Sequence, residues 1–155
     1  MSTDKVKNYL KKWDLDHRVR EFETSSATVS LAATALNCEP ERIAKTLALL
    51  VKEEPILIVA AGDVKIDNQK FKTCFSCKPK MLNHEQTHLL IGHKVGGVCP
   101  FAVNDNVQIY LDESLKRFET IFPACGSSNS AIELSISELE DTSNYLRWVD
   151  VAKEQ

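Results

Sequence analysis

Lys45–Ala61, KTLALLVKEEPILIVAA, decides the fold. Two apolar runs, Lys45–Val51 and Ile56–Ala61, flank the polar stretch Lys52–Pro55. They read as two buried antiparallel strands joined by a hairpin, with Gly62-Asp63 ending the second. Toward the N-terminus, Val6, Tyr9, Leu10 and Trp13 keep helical spacing after Ser2 or Thr3 as N-cap. Arg18–Phe22 alternates charged and apolar residues and reads as a strand with Val19 and Phe22 partly inward. Thr24–Ser26 is a polar break. Val29–Leu36 reads as an alanine-rich helix ending at Asn37, and Pro40 opens a short turn as an N1 proline. Toward the C-terminus, Asn68–Phe75 and His84–Leu90 (capped by Asn83) read as short helices, and Val107–Leu111 as a strand. Asp112–Lys116 is a helical turn before a strand at Phe118–Phe122. A strand at Ala131–Leu134, a helix at Ser137–Asp141 begun by Ser135 or Ser137, and a strand at Trp148–Val151 complete the chain. Strands outnumber helices, and few fit the alternation of a doubly wound fold. The expected class is α+β, a single domain over residues 1–155 with a central mixed or mostly antiparallel, barrel-like sheet surrounded by helices.

Bulk properties narrow the function. The 155 residues fall within the usual range for one domain, and 43% hydrophobic residues suffice for a core. A net charge of −3 excludes a non-specific nucleic-acid binder, while leaving room for a local basic face. No apolar run approaches the ~20 residues that span a membrane, and the polar-amphipathic start is unlike a signal peptide. Five cysteines without a scaffold pattern predict a reduced, cytoplasmic protein.

The stretch richest in functional signal is Ile91–Phe101, IGHKVGGVCPF, which holds Gly92, Gly96 and Gly97 of the five glycines and closes at Pro100. Glycine permits close approach and positive φ, and proline stiffens the exit. Such a loop either aims backbone N–H groups at a carbonyl or phosphate or is a plain turn. Lys45, at the start of an apolar strand, either snorkels to the sheet rim or reaches into a site. His84-Glu85-Gln86-Thr87-His88 spells H-E-x-x-H, which in zinc hydrolases places two ligands one helical turn apart. Here His93 follows too soon to be the third ligand, only His17 remains, and no carboxylate stands at the required spacing. Cys74 and Cys77 form a C-x-x-C without two further ligands for zinc or the βαβ context of a redox motif. Lys65, Lys70, Lys72, Lys78 and Lys80 outnumber Asp63 and Asp67 between residues 63 and 80, which makes either a solvated face or a track for a nucleic-acid backbone. Cys125–Ser130, CGSSNS, is a second small polar loop whose Ser127 and Asn129 either bind a ligand or cap a turn. No serine elbow, P-loop or dinucleotide fingerprint is present.

Three ordered pieces, RIAKTLALLV (Arg42–Val51), GHKVGGVCPF (Gly92–Phe101) and CGSSNSAIEL (Cys125–Leu134), resemble the YbaK/EbsC family, the prolyl-tRNA synthetase-associated editing domain. The resemblance runs over essentially the whole chain. It implies a trans-acting deacylase that hydrolyses the ester of a mischarged tRNA, tRNA-Pro carrying a small amino acid of the alanine, cysteine or serine class, without metal or cofactor. It implies Lys45 as the functional lysine and Gly96 to Pro100 as the G-x-x-x-P element. Ester hydrolysis develops charge on the carbonyl oxygen, for which N–H groups at Gly96 and Gly97 are suitable donors. Thr46, Pro100, Ser127 and Asn129 are the further pocket residues expected, and water activated by the substrate is the expected nucleophile. The implied partners are the mischarged tRNA and, transiently, a prolyl-tRNA synthetase. The chain departs from the cysteinyl-tRNA branch at Ala131, where that branch carries Asp, and at Thr24–Ser30, so the amino acid removed is left open. Two other readings stand beside this one. One is a non-catalytic aminoacyl- or nucleotide-binding module of the same fold, and the other is a zinc hydrolase built on His84 and His88.

Overall fold

The computed structural model describes residues 2–155, with the Ser2 side chain outside the description. In chain order the elements are α1 (Ser2–Leu10), β1 (Arg20–Glu21), α2 (Val29–Leu36), β2 (Ile43–Val51), β3 (Glu54–Ala61), β4 (Val64–Ile66), α3 (Asn68–Phe75) and β5 (Lys80–Met81). They continue with α4 (His84–Gln86, running into a π-turn over Thr87–Ile91), β6 (Gln108–Asp112), β7 (Thr120–Pro123), β8 (Ser130–Ala131), β9 (Leu134–Ser135), α5 (Ile136–Ser143), β10 (Arg147–Val149) and β11 (Ala152–Glu154). The class is α+β, as expected. Its centre is a curled mixed sheet in the order β10-β6-β3-β2-β7-β9, with β5 added on β2.

The β2–β3 hairpin is the spine. Its antiparallel ladder runs from Ala44 opposite Ala61 to Val51 opposite Glu54. The two-residue turn between them holds Lys52 at φ 50° and Glu53 at φ 73°. Positive φ at both central residues is the twist-matched geometry for a short hairpin, here adopted by residues that pay for it in strain. Parallel neighbours flank the hairpin, β6 beside β3 and β7 beside β2. β3 lacks the alternation of a half-exposed strand because both its faces are covered. Ile56 and Ile58 pack with Phe71 and Phe75 of α3, while Leu57 packs with Ile91 and Ile109. A larger core gathers Val6 and Leu10 of α1, Phe101, Leu111, Ile121, Ile132 and Leu139.

Helix ends follow their capping chemistry. Thr28 accepts from Leu31 N at the start of α2, and Asn37 takes the left-handed conformation at its end. Asp67 caps α3. Ser135 caps α5 reciprocally with Glu138. At the start of α1, Thr3 lies inside the helix and the Ser2 side chain is outside the described residues.

Several strand expectations are corrected. Arg18–Phe22 divides into a 3-10 turn over Asp16–Arg18 and the two-residue β1. Ala131–Leu134 is two short strands, because Ala131 pairs with Arg20 while Leu134 pairs with Ile121. The strand expected at Trp148–Val151 is β10, which stops at Val149, since Val151 N donates to Asp112 Oδ1 and Val151 O accepts from Asp67 N. The antiparallel pair β4–β11 joins segments distant in sequence and was not expected. Among the described residues, no helix is long and apolar enough to cross a membrane.

Candidate active site

The central sheet is incomplete along β2. β7 pairs with β2 only at Ile43 and Ala44, and β5 only at Leu49 and Leu50. Between these short partners the edge of Lys45–Ala48 has no strand beside it, although Leu82 N does donate to Ala48 O. A cleft of about 340 Å³ opens along this edge, a volume within the usual range for small-ligand sites.

The walls come from distant parts of the chain. Ser26 and Ala27 with Thr28, Val29 and Ala32 of α2 form one side. Met81, Leu82, His84 and Thr87 form another, and Val95, Gly96 and Val98 of the glycine loop close over it. Phe122, Ala124, Ser130 and Ala131 complete the lining. The Ser26 wall is held by Ser26 N donating to Ser128 O (2.6 Å) and Phe22 N donating to Asn129 O (2.8 Å). The lining is mainly apolar, alanines make up six of its 22 residues, and among the described residues no carboxylate lines it.

Lys45 lines this cleft. Its ammonium donates to the Val64 carbonyl oxygen. Partial burial lowers its pKa from the ordinary lysine value, opposed by the charge of Asp63. Asp63 itself is held below the usual carboxylate range by its bidentate pair with Arg117. Thr46 also lines the cleft, and its hydroxyl is buried without a hydrogen-bond partner. Buried hydroxyls are mostly hydrogen-bonded, so this one stands out among the residues of the cleft.

The glycine loop divides its labour. Gly96 lines the cleft at φ 96°, and its N–H has no protein partner among the described residues. Gly97 is corrected from the expected pair of carbonyl donors. Its N–H donates to Lys94 O (3.0 Å), and the residue is buried away from the cleft lining. Pro100 is likewise buried outside the lining. Ser127 and Asn129 are spent internally: the Ser127 hydroxyl donates to Asn129 Oδ1 (2.9 Å), and Asn129 Nδ2 donates to Phe22 O (2.8 Å). Ser130, their neighbour, is the residue of that loop which reaches the cleft.

The five lysines are all exposed. Lys70 is paired with Asp150 and donates to Ala152 O. Lys72 and Lys78 border a separate open groove with Asn68 and Gln69. Lys80 lies on β5 beside the cleft-lining Met81. Among the described residues, no cysteine lines the cleft. Burial pushes the Cys99 thiol up to about 12 and raises Cys125 as well, and neither lines the cavity. The H-E-x-x-H residues separate, since His84 lines the cleft and His88 does not. Among the described residues, the metal-capable side chains that come together are Asp14, Asp16 and His17 on the surface. Sequence reasoning therefore missed His84 as a cleft residue, although the motif had drawn attention to it.

The family description "Aminoacyl-tRNA editing domain" matches residues 23–142, and the chain belongs to that family. It is 48% identical to the uncharacterized protein YwhH of Bacillus subtilis, over 99% of both chains. It is 21% identical over 126 residues to a proline--tRNA ligase of Bacillus cereus, covering 80% of this chain and 22% of the ligase, so it spans about a fifth of such synthetases. Among solved structures, a candidate trans-editing enzyme for prolyl tRNA synthetase superposes with TM-score 0.87 at 24% identity, over 98% of this chain and 97% of the other. A scaffold protein used for epitope backbone grafting superposes with TM-score 0.88 at 24% identity, over 99% and 98%. These two likenesses establish the fold.

Proposed function

We propose that residues 1–155 form one editing domain that hydrolyses, in trans, the ester of a mischarged tRNA. The observation that carries this reading is the meeting of Lys45, the unpartnered Thr46 hydroxyl and Gly96 in one small apolar cleft. Lys45 anchors the 3′ end of the substrate, exchanging its bond to the Val64 carbonyl for a phosphate or hydroxyl oxygen. Gly96 N–H receives the carbonyl oxygen as it gains charge, and Gly97 and Pro100 hold the loop that presents it. The small, mainly apolar lining accommodates an amino acid of the alanine, cysteine or serine class and offers no carboxylate to pair with a cationic side chain. The relatives' names point to tRNA-Pro as the carrier and to transient contact with a prolyl-tRNA synthetase. Exposed Lys65, Lys72, Lys78 and Lys80 supply the backbone-tracking surface, which makes binding salt-dependent.

The test is release of amino acid from a panel of alanyl-, cysteinyl- and seryl-tRNA-Pro, with cognate prolyl-tRNA alongside. Turnover of one mischarged species is expected. Retained tRNA binding without turnover of any of them would instead establish the binding-module reading.

A further inference from the structure

A second cavity, of about 530 Å³, adjoins the cleft. Thr28, Val29 and Lys45 line both, so Lys45 stands where the two meet. Their chemistry differs. The cleft is mainly apolar, whereas this groove gathers the hydroxyls of Thr28 and Ser30, the Asp63 carboxylate and the Gln155 amide around Pro40 and Gly62. The floor is fixed by close packing. A β-carbon on Gly62 would strike Pro40 O and stand 2.8 Å from Val29 Cγ1, which seats the β3–β4 turn against α2. Both Asp63 carboxylate oxygens accept from Arg117 (2.6 and 3.0 Å), and Asp63 O accepts from Gln155 N (3.2 Å). The Ser30 hydroxyl makes no hydrogen bond among the described residues. Thr28 Oγ1 accepts from Leu31 N (3.1 Å) and keeps its own proton to donate.

The lining carboxylate already has a guanidinium partner, so the groove does not call for a cationic ligand. Hydroxyls, an amide and spare carboxylate lone pairs around a proline ring and a bare glycine backbone suit a sugar and a flat base. We propose that this groove holds the 3′-terminal nucleoside of the tRNA, an inference that rests on the deacylase reading above. The amino acid enters the apolar cleft, and the ester lies at the junction marked by Lys45. Ribose and base then lie over Gly62 and Pro40, where a ribose hydroxyl donates to Asp63 and the Ser30 and Thr28 hydroxyls donate to acceptors of the sugar or base. This placement explains why one lysine borders both cavities: its ammonium meets the oxygens that link the two halves of the substrate.

The test is backbone-amide NMR of the isotope-labelled protein titrated with AMP, with inorganic phosphate as the probe of the phosphate alone. AMP is expected to shift the amides of Ser30, Gly62 and Asp63, and inorganic phosphate to leave them in place. Ser30→Leu fills the groove and removes its free hydroxyl. It is expected to abolish the AMP shifts and to raise KM for the mischarged tRNA about 10-fold with kcat unchanged. AMP shifts that are absent, that match those of inorganic phosphate, or that persist in Ser30→Leu overturn the proposal, as does a wild-type KM in that variant. A wild type without turnover overturns the deacylase reading instead, and the AMP shifts then decide the groove by themselves.

Discussion

Gly97 lies against the Gly126–Ser127 peptide so closely that a β-carbon there would stand 2.5 Å from both Gly126 C and Ser127 N. The contact joins the two small-residue loops, which explains why a glycine is needed where the backbone makes no unusual turn. Gly97→Ala is expected to lower stability by about 2–3 kcal/mol through overpacking against backbone that cannot give way. Gly96 differs in kind. At φ 96° its β-carbon would meet Ala27 Cβ at 3.3 Å, on the cleft side. Gly96→Ala should therefore cost about 1–2 kcal/mol of strain and impair turnover in the protein that remains folded. Thermal melts of both variants with turnover measured alongside check this; a Gly97→Ala protein as stable as wild type contradicts it.

Thr46→Val should separate function from stability. The substitution keeps the shape and removes a hydroxyl that is buried without a partner. The variant is expected to melt at or above the wild-type temperature, since the orphan hydroxyl costs about 1–3 kcal/mol, and to bind substrate more weakly. Melting curves and KM report the two effects. A destabilised variant with normal KM would mean that the hydroxyl serves the fold.

The β2–β3 turn is a site for stabilisation. Glu53 holds φ 73° without being glycine. Glu53→Gly is expected to gain up to about 1 kcal/mol, or about 3 °C in Tm, without effect on the cleft. An unchanged or lower Tm would show that this turn carries no recoverable strain.

His93 makes stability depend on pH. It is fully buried, Nε2 lies 2.7 Å from Phe101 O, and Nδ1 has no partner. Burial lowers its pKa below the ordinary value of 6.5, opposed by the hydrogen bond to the Phe101 carbonyl. With the folded pKa below the unfolded one, the unfolded chain takes up the proton first. Stability is therefore full above pH 6.5 and falls as pH drops below it, levelling once the folded state also protonates. Asp63 and Glu138, whose pKa values are also lowered, act from the ordinary carboxylate range downward. Urea midpoints between these ranges isolate the histidine, and His93→Gln should flatten the slope there. A slope that survives the substitution assigns it to another group.

Local chemistry made much of this fold readable from sequence. The β2–β3 hairpin, α2 ending at Asn37 and α3 over Asn68–Phe75 follow from apolar period and capping residues near each segment. β4 and β11 escaped because three-residue strands carry no period, and their pairing is a tertiary event. Lys45, Thr46 and Gly96 stood out by residue type and do share the cleft. Ser127 and Asn129 had the right chemistry but spend it on each other and on Phe22. Ser26, at the end of the polar break Thr24–Ser26, gave no sign of its place in the cleft wall, because that place depends on its bond to Ser128 O.

The central claim is that the cleft around Lys45 hydrolyses aminoacyl esters. Lys45 is half-buried, and its bond to the Val64 carbonyl is its one protein hydrogen bond among the described residues, so alanine there should leave a folded protein. The most direct measurement is single-turnover hydrolysis, by wild type and Lys45→Ala, of the mischarged tRNA that the wild type clears. The account predicts release of the amino acid by wild type and loss of most of that rate in a variant with a wild-type melting curve. Wild-type hydrolysis by Lys45→Ala would contradict it.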